Sequence, residues 1–471
     1  MCIVRTIKTI GLVIVAVVMG LGSIPARALA GVEPETAQST YRLDKVIVRD
    51  HPLREDSMVV TPEVTVINVD QFKKPGKIDN ITDLLDQALG VNVLRSSSTP
   101  SQSEGVYIRG MDQSRYQVFM DGRPMRLHGS HGYFKMDWTT LPIDNVDTIE
   151  VIRGSHSLLY PFSMGGAINI ITKKGKQTDD PRPSGSVKAG LGAHGDQSYS
   201  ANITGGAFNT IGYSFSAGHR EGDGFLRGND YDTDNFAGRI SLYLPTNGTI
   251  TYGAEYIDTM TGYAVINDPN DPASNYDPDY PIVRKGEVDT FTHDNEGKCY
   301  DGGRSEWDKE YLSQSLLIEQ PLSLGVVRAM AYKEISERNR YAHLADGTDT
   351  SNYKKEYTGG LSLDYLDVDL IPNHSLSVGG DYRDQGTTDN KDFYSITSLY
   401  IQDLWSLNPK LSLTFGTRWY KFESDSFVFG STPLAKDRRK EEEWCPKARL
   451  DYRVDDTLAL YAAISREMRL P

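Results

Sequence analysis

The chain has 471 residues, enough for two or three ordinary domains or for one large barrel with an accessory domain, and its net charge of -14 argues against a nucleic-acid partner. Only 38% of residues are hydrophobic while 10% are aromatic, and Tyr (27) outnumbers Phe (14), a balance that suits a half-wet surface better than a soluble α/β core. Three cysteines, Cys2, Cys299 and Cys445, are too few for a disulfide framework and lack zinc-ligand spacing, although one bridge between 299 and 445 is compatible with an oxidising compartment.

Residues 1–30 read as a secretory signal peptide: Arg5 and Lys8 precede an apolar run from Ile10 to Leu21, and Ala28-Leu29-Ala30 forms a small-residue cleavage site. The run is shorter than the ~20 residues a retained helical anchor needs. An extension over 31–58 follows. In it Leu43, Asp44, Lys45, Val46, Ile47 and Val48 make a short β-former that can add to another protein's sheet edge or serve as the domain's first strand.

Residues 59–180 mix helix and strand signals. Asn80 is placed to cap a helix in which Ile81, Leu84, Leu85 and Ala88 recur at helical spacing; Asp83 completes a capping-box-like arrangement and Gly90 ends it. Strand-like runs follow at 105–109, 116–120, 147–153 and 167–172.

From residue 181 the pattern has period two. Ile250, Tyr252, Ala254 and Tyr256 share one face of a strand, with Thr249, Thr251, Gly253 and Glu255 on the other. About thirteen such segments run to the end of the chain. Short joins such as Thr246-Asn247-Gly248 and Asn408-Pro409-Lys410 alternate with long polar ones near 222–235, 259–310, 342–356 and 425–441. That alternation predicts a transmembrane β-barrel with short periplasmic turns and long outer loops. A soluble β-sandwich would also alternate, but it has no need of alternating loop lengths.

Several stretches carry a resemblance. They are "LDKVIV" (43–48), "YIRG" (107–110), "FMDGRP" (119–124), "VDTIEVIRGSHSLLYPFSMGGAINIITKKG" (146–175), "SLYIQDLWSLNPKLSLTFGTRWY" (398–420) and "YAAISREMRLP" (461–471). In this order they resemble the TonB-dependent outer-membrane receptors, in which an α+β plug domain sits inside a 22-stranded antiparallel up-and-down barrel. Pro161 stands where the family usually has Gly, and Glu467 and Met468 where it has Gly-Phe. The resemblance implies that about nine strands are missing, so the barrel is expected to be incomplete and the chain to be truncated at its C-terminus.

What the resemblance implies is import of a scarce large solute, most often a ferric siderophore or a related metal chelate such as haem or cobalamin. Leu43–Val48 would be the TonB box, the partner being TonB with its inner-membrane energising complex. Arg109, Gly110, Asp121, Gly122, Glu150, Arg153, Gly154, Gly165 and Gly166 fall in the plug signatures, and the arginines Arg109 and Arg153 would pair with glutamates on the inner wall of the barrel. Outward plug loops would meet the ligand, making Arg126, His128, His131, Tyr133 and Phe134 the candidates. The surrounding partners would be outer-membrane lipid and lipopolysaccharide.

No Walker motif, nucleophile elbow or His-Glu-x-x-His is present, so no catalytic residue, cofactor or resident metal is assigned. The acidic loop with Asp268, Asp271, Asp277 and Asp279 lacks EF-hand spacing and reads as a solvated face. A non-functional remnant of such a receptor, or a passive porin or adhesin, is the alternative function.

Overall fold

A computed structural model of the chain describes residues 58–60, 64–69, 80–94, 105–113, 115–125, 128–130, 133–136, 138, 141, 143–153, 158–274, 276–284, 304–343, 349–387, 393–429, 432–435, 439–455 and 458–468. The short strand-former at 43–48, the leader at 1–30 and Cys299 lie outside the described residues, as do Arg126, His131 and Gly154.

The N-terminal part is a small mixed domain. Its strands are β1 (Met58–Val60), β2 (Val64–Asn68), β3 (Val91–Leu94), β4 (Gly105–Ile108), β5 (Tyr116–Met120), β6 (Arg123–Pro124), β7 (His128–Ser130), β8 (Tyr133–Lys135), β9 (Val146–Arg153) and β10 (Gly166–Thr172). Six of them form one sheet in the order β1-β2-β9-β10-β5-β6, parallel only between β10 and β5. Its β-branched, two-sided apolar strands are buried: Ile149, Val151, Ile168, Ile170 and Val118 have no exposed surface and pack with Leu84 and Leu85 of helix α1 (Ile81–Leu85).

The helix is shorter than its apolar spacing predicts, giving way to turns after Leu85 and ending at Gly90, where φ is +77°. The capping expectation fails too. Asn80 occupies the N-cap position with extended backbone but makes no cap hydrogen bond; its side-chain oxygen accepts one from Arg220 of the surrounding wall at 3.2 Å instead. A long cation across the gap outcompetes a local cap worth only about 1 kcal/mol.

The larger sheet follows β11 (Ser184–Leu191), β12 (Gln197–Ala207), β13 (Ile211–Gly222), β14 (Tyr231–Tyr243), β15 (Thr249–Gly262), β16 (Arg304–Leu322), β17 (Gly325–His343), β18 (Asp349–Val368), β19 (His374–Thr387), β20 (Phe393–Asn408), β21 (Leu411–Phe429), β23 (Arg439–Arg453) and β24 (Ala459–Ser465), with the short β22 (Thr432–Ala435) beside β21. All neighbours are antiparallel and sequential, the meander that the alternating loops predict. β16, β17 and β18 extend further into the long joins than the period-two pattern indicates, because their outer ends are polar on both faces and carry no apolar alternation.

The register sorts the two faces. Ile250, Ile318, Ala329 and Leu363 are directly paired across β15 to β18, and Tyr252, Leu316, Ala331 and Leu361 form the next outward row. Large apolar residues such as Phe236, Ile240, Leu363 and Leu399 stay exposed on this outward face. The inward face is polar and meets the small domain. Among the described residues no helix is long and apolar enough to cross a membrane.

Candidate functional site: the interface between inner domain and barrel wall

The tight turn joining β5 to β6 is the first point of attachment. Asp121 and Gly122 both have positive φ, +52° and +85°, which turns the chain within two residues and pushes it toward the wall. Asp121 forms an ion pair with Arg239 of β14 and also accepts from the Thr172 amide and hydroxyl, each at 3.0 Å. Arg328 of β17 donates to the Asp121 carbonyl at 2.9 Å and lies where a Cβ on Gly122 would go.

Next in sequence, Arg123 is only 4% exposed; it forms an ion pair with Glu334 of β17 and lies 3.9 Å from Glu255 of β15. Burial alone would raise the Asp121 carboxyl, but the charge and hydrogen bond of Arg239, the Thr172 amide and Lys174 outweigh it and hold the group down at about 2. This clasp is ionic at neutral pH and is formed by plug-type residues on one side and barrel-wall residues on the other.

The second attachment is the segment Leu158–Phe162, between β9 and β10. Both backbone groups of Leu158 are taken by the wall: its N–H donates to Gln402 of β20 at 3.0 Å, and its carbonyl accepts from Arg418 of β21 at 2.9 and 2.5 Å. Arg418 also donates to Asp381 of β19 and to Ser398, each at 2.5 Å, and lies over the Tyr400 ring. Phe162, at φ +58°, packs on Tyr420 with ring centroids 4.7 Å apart, and the Arg383 guanidinium lies over its ring at 5.5 Å from the centroid. The side chains of this socket come from inward positions of three consecutive strands.

The expected site residues are distributed as follows. Asp121 and Gly122 belong to the clasp. Arg153 is 2% exposed at the end of β9; it donates to the Thr65 hydroxyl at 2.5 Å and the Leu89 carbonyl at 3.1 Å within the inner domain, and it also interacts electrostatically with Tyr461 of β24. Arg109 and Gly110, both at positive φ, form an exposed turn after β4, with the Arg109 amide donating to the Gly90 carbonyl at 2.7 Å.

Glu150 is partnered by Asn169 across the β9–β10 pair at 2.9 Å; burial pushes its carboxyl up, and this bond offsets part of the rise. Gly165 and Gly166 lead directly into β10; Gly166 has φ +137°, and a Cβ on Gly165 would run into Met111. His128, Tyr133 and Phe134, expected in a loop, fall on the paired strands β7 and β8, with His128 opposite Lys135 and Gly129 opposite Phe134.

The residues missing from the sequence reading are Arg123 and its whole wall-side complement, Arg239, Glu255, Arg328, Glu334, Gln402 and Arg418. Arg123 stands inside the quoted "FMDGRP", and inward polar positions on period-two strands were the available signal; which of them face the turn depends on strand stagger.

Above the clasp, the inward face of β16 and β17 carries Trp307 with the guanidinium groups of Arg338 and Arg340 each 5.8 Å from its ring. The acidic segment 268–279 is organised by an amide: Asn267 is fully buried and its side-chain NH2 donates to the carbonyls of Asp277, Tyr280 and Pro281 at 2.9 to 3.2 Å. Asp268 and Asp277 each accept from a backbone N–H two residues on.

Residues 57–167 match the family described as TonB-dependent receptor plug domain, and residues 286–471 match the TonB dependent receptor-like β-barrel. Among solved structures, the ferric enterobactin receptor of Pseudomonas aeruginosa is similar at 17% identity and a TM-score of 0.62, over 88% of this chain and 64% of that one. The siderophore receptor PirA of Acinetobacter baumannii gives 16% and 0.61, over 87% and 62%. The copper transporter OprC gives 14% and 0.67, over 88% and 63%. The chain thus spans under two thirds of the length of each of these structures.

Proposed function

Because the chain belongs to the TonB-dependent receptors, a family of outer-membrane β-barrels that act in transport, we propose that it imports a metal chelate across the outer membrane under the control of TonB. The observation that carries this reading is the seating of the plug: an ionic clasp and a hydrogen-bonded socket, into which Phe162 packs, tie it to the inner wall. Such a stopper is stable at rest and can be released by a modest directed force.

In this reading residues 1–30 direct export and are removed. Leu43–Val48 pairs by β-augmentation with periplasmic TonB, whose energy comes from the inner-membrane complex. Cargo docks on the outer side of the plug, where Arg126, His128, His131, Tyr133 and Phe134 remain candidates; Trp307, Arg338 and Arg340 add a cationic, aromatic wall suited to an anionic metal chelate. Support for a metal chelate comes from the similarity to siderophore and copper receptors. Lipid and lipopolysaccharide are proposed as the surroundings of the outward apolar face.

Deletion of residues 43–48 tests the proposal. Growth on chelated iron, with ferric enterobactin first in a panel of ferric chelates, is expected to fall to that of a strain lacking the protein; undiminished growth would refute TonB coupling.

A further inference from the structure

Two wall arginines reach the backbone of the plug, Arg328 of β17 at the Asp121 carbonyl and Arg418 of β21 at the Leu158 carbonyl. The register puts them at the two ends of one row across the inward face. Arg328 is directly opposite Asp364 of β18, Asp364 opposite Gly379 of β19, Gly379 opposite Tyr400 of β20, and Tyr400 opposite Arg418.

The middle of the row joins its ends. The Tyr400 hydroxyl donates to Asp364 at 2.9 Å, across the strand that separates them. Strands two apart in a sheet lie about 9–10 Å from each other, so this bond forms only if nothing projects between them. Gly379 supplies the gap: a Cβ there would run into the Asp364 carboxylate and come within 2.8 Å of the Tyr400 ring.

Each end then rests on a support. Asp364 faces Arg328 and interacts with its charge, while the Arg418 guanidinium lies 4.5 Å from the centroid of the Tyr400 ring. A long guanidinium side chain binds better when its position is fixed beforehand, because less rotamer freedom is lost on binding. Since the hydroxyl bond ties one support to the other, ordering at one end favours ordering at the other.

We propose that Asp364 and Tyr400 are positioning residues that couple the clasp to the socket, Gly379 being the gap through which they meet. Displacing Arg328 from the clasp weakens the hold of Arg418 on Leu158, and the reverse holds to the same extent. The plug therefore lets go of the wall at both points together. Seating is read without transport, so the coupling stands or falls independently of the import reading.

A mutant cycle tests the coupling in the full chain in outer-membrane fractions. Gly122→Ala displaces Arg328 at the clasp, and the rate of protease cleavage within 154–165 reads the socket. Gly122→Ala is expected to raise that rate about threefold or more in the otherwise unaltered chain, and by less than about 1.5-fold in a Tyr400→Phe background, which keeps the ring beside Arg418 and loses only the hydroxyl. Tyr394→Phe is the control, since its hydroxyl donates to Gln385 at 2.6 Å and its ring belongs to the cluster around Phe162, outside the row. In that background the effect of Gly122→Ala is expected to persist.

No effect on the socket in the unaltered chain, an equal effect in the Tyr400→Phe background, or loss of the effect in both backgrounds would overturn the coupling. If Tyr400→Phe fails to assemble, Asp364→Asn takes its place with the same expectation, because it removes the charge that faces Arg328.

Discussion

Replacing Asp121 with Asn removes one negative charge from the clasp and keeps an oxygen that can accept from the Thr172 amide. Asp121 is held at about 2 against the ordinary aspartate value of 3.8. At one pKa unit per 1.36 kcal/mol, the ionised group favours the seated plug by about 2 kcal/mol. The variant should lose at least that much, because Arg239 is left in a buried position facing a neutral amide.

The sign fixes the pH window. The seated pKa is depressed, so the contribution is complete above about 4 and is lost as pH falls toward about 2. Hydrogen exchange at the β10 amides, including Thr172, reads the release of the plug edge from the wall. The unaltered chain should show protection falling across that window, and Asp121→Asn should show about thirtyfold lower protection at neutral pH with little further loss on acidification through it. Unchanged protection at neutral pH, or an acid response identical to the unaltered chain, would refute the assignment of Asp121 as an ionic anchor.

Arg418→Leu should cost about 3–5 kcal/mol in plug seating, since it leaves the Leu158 carbonyl without its donor and the Asp381 carboxylate without its ion-pair partner; protease resistance of the 154–165 segment checks this. Gly122→Ala should weaken the clasp by about 1–2 kcal/mol through positive φ and by displacing Arg328, and the same β10 exchange experiment will show it. Asn267→Ala should loosen the 263–284 loop by about 2 kcal/mol or more, measured as faster cleavage within it, while added calcium should not restore resistance, because the side-chain amide is what holds those carbonyls.

The barrel was legible because an apolar outer face and a polar inner face impose strict alternation, so Ile250, Tyr252, Ala254 and Tyr256 declare their face from sequence alone. The outer ends of β16 to β18 were not, since water on both sides removes that constraint. The Asp121-Gly122 turn was reached through the resemblance of "FMDGRP" to the family's plug signatures. Its partners were not, because Arg239, Glu255 and Glu334 are brought together by the stagger of strands up to 95 residues apart in sequence, a tertiary property with no local signature. Arg153 was expected to meet the wall because the resemblance implies that plug arginines pair with glutamates there. Its hydrogen bonds to Thr65 and Leu89 add a tie within its own domain that the sequence did not indicate.

The central claim is that the plug sits in the lumen, bonded to the inner wall, and must move for import. A cysteine pair at Leu158 and Gln402, joined by a short bismaleimide in intact outer membranes, tests it most directly. The account predicts a cross-linked peptide pair by mass spectrometry and loss of ferric chelate uptake once the link is made. Two freely reactive thiols that never join, or full uptake by the linked protein, would contradict it.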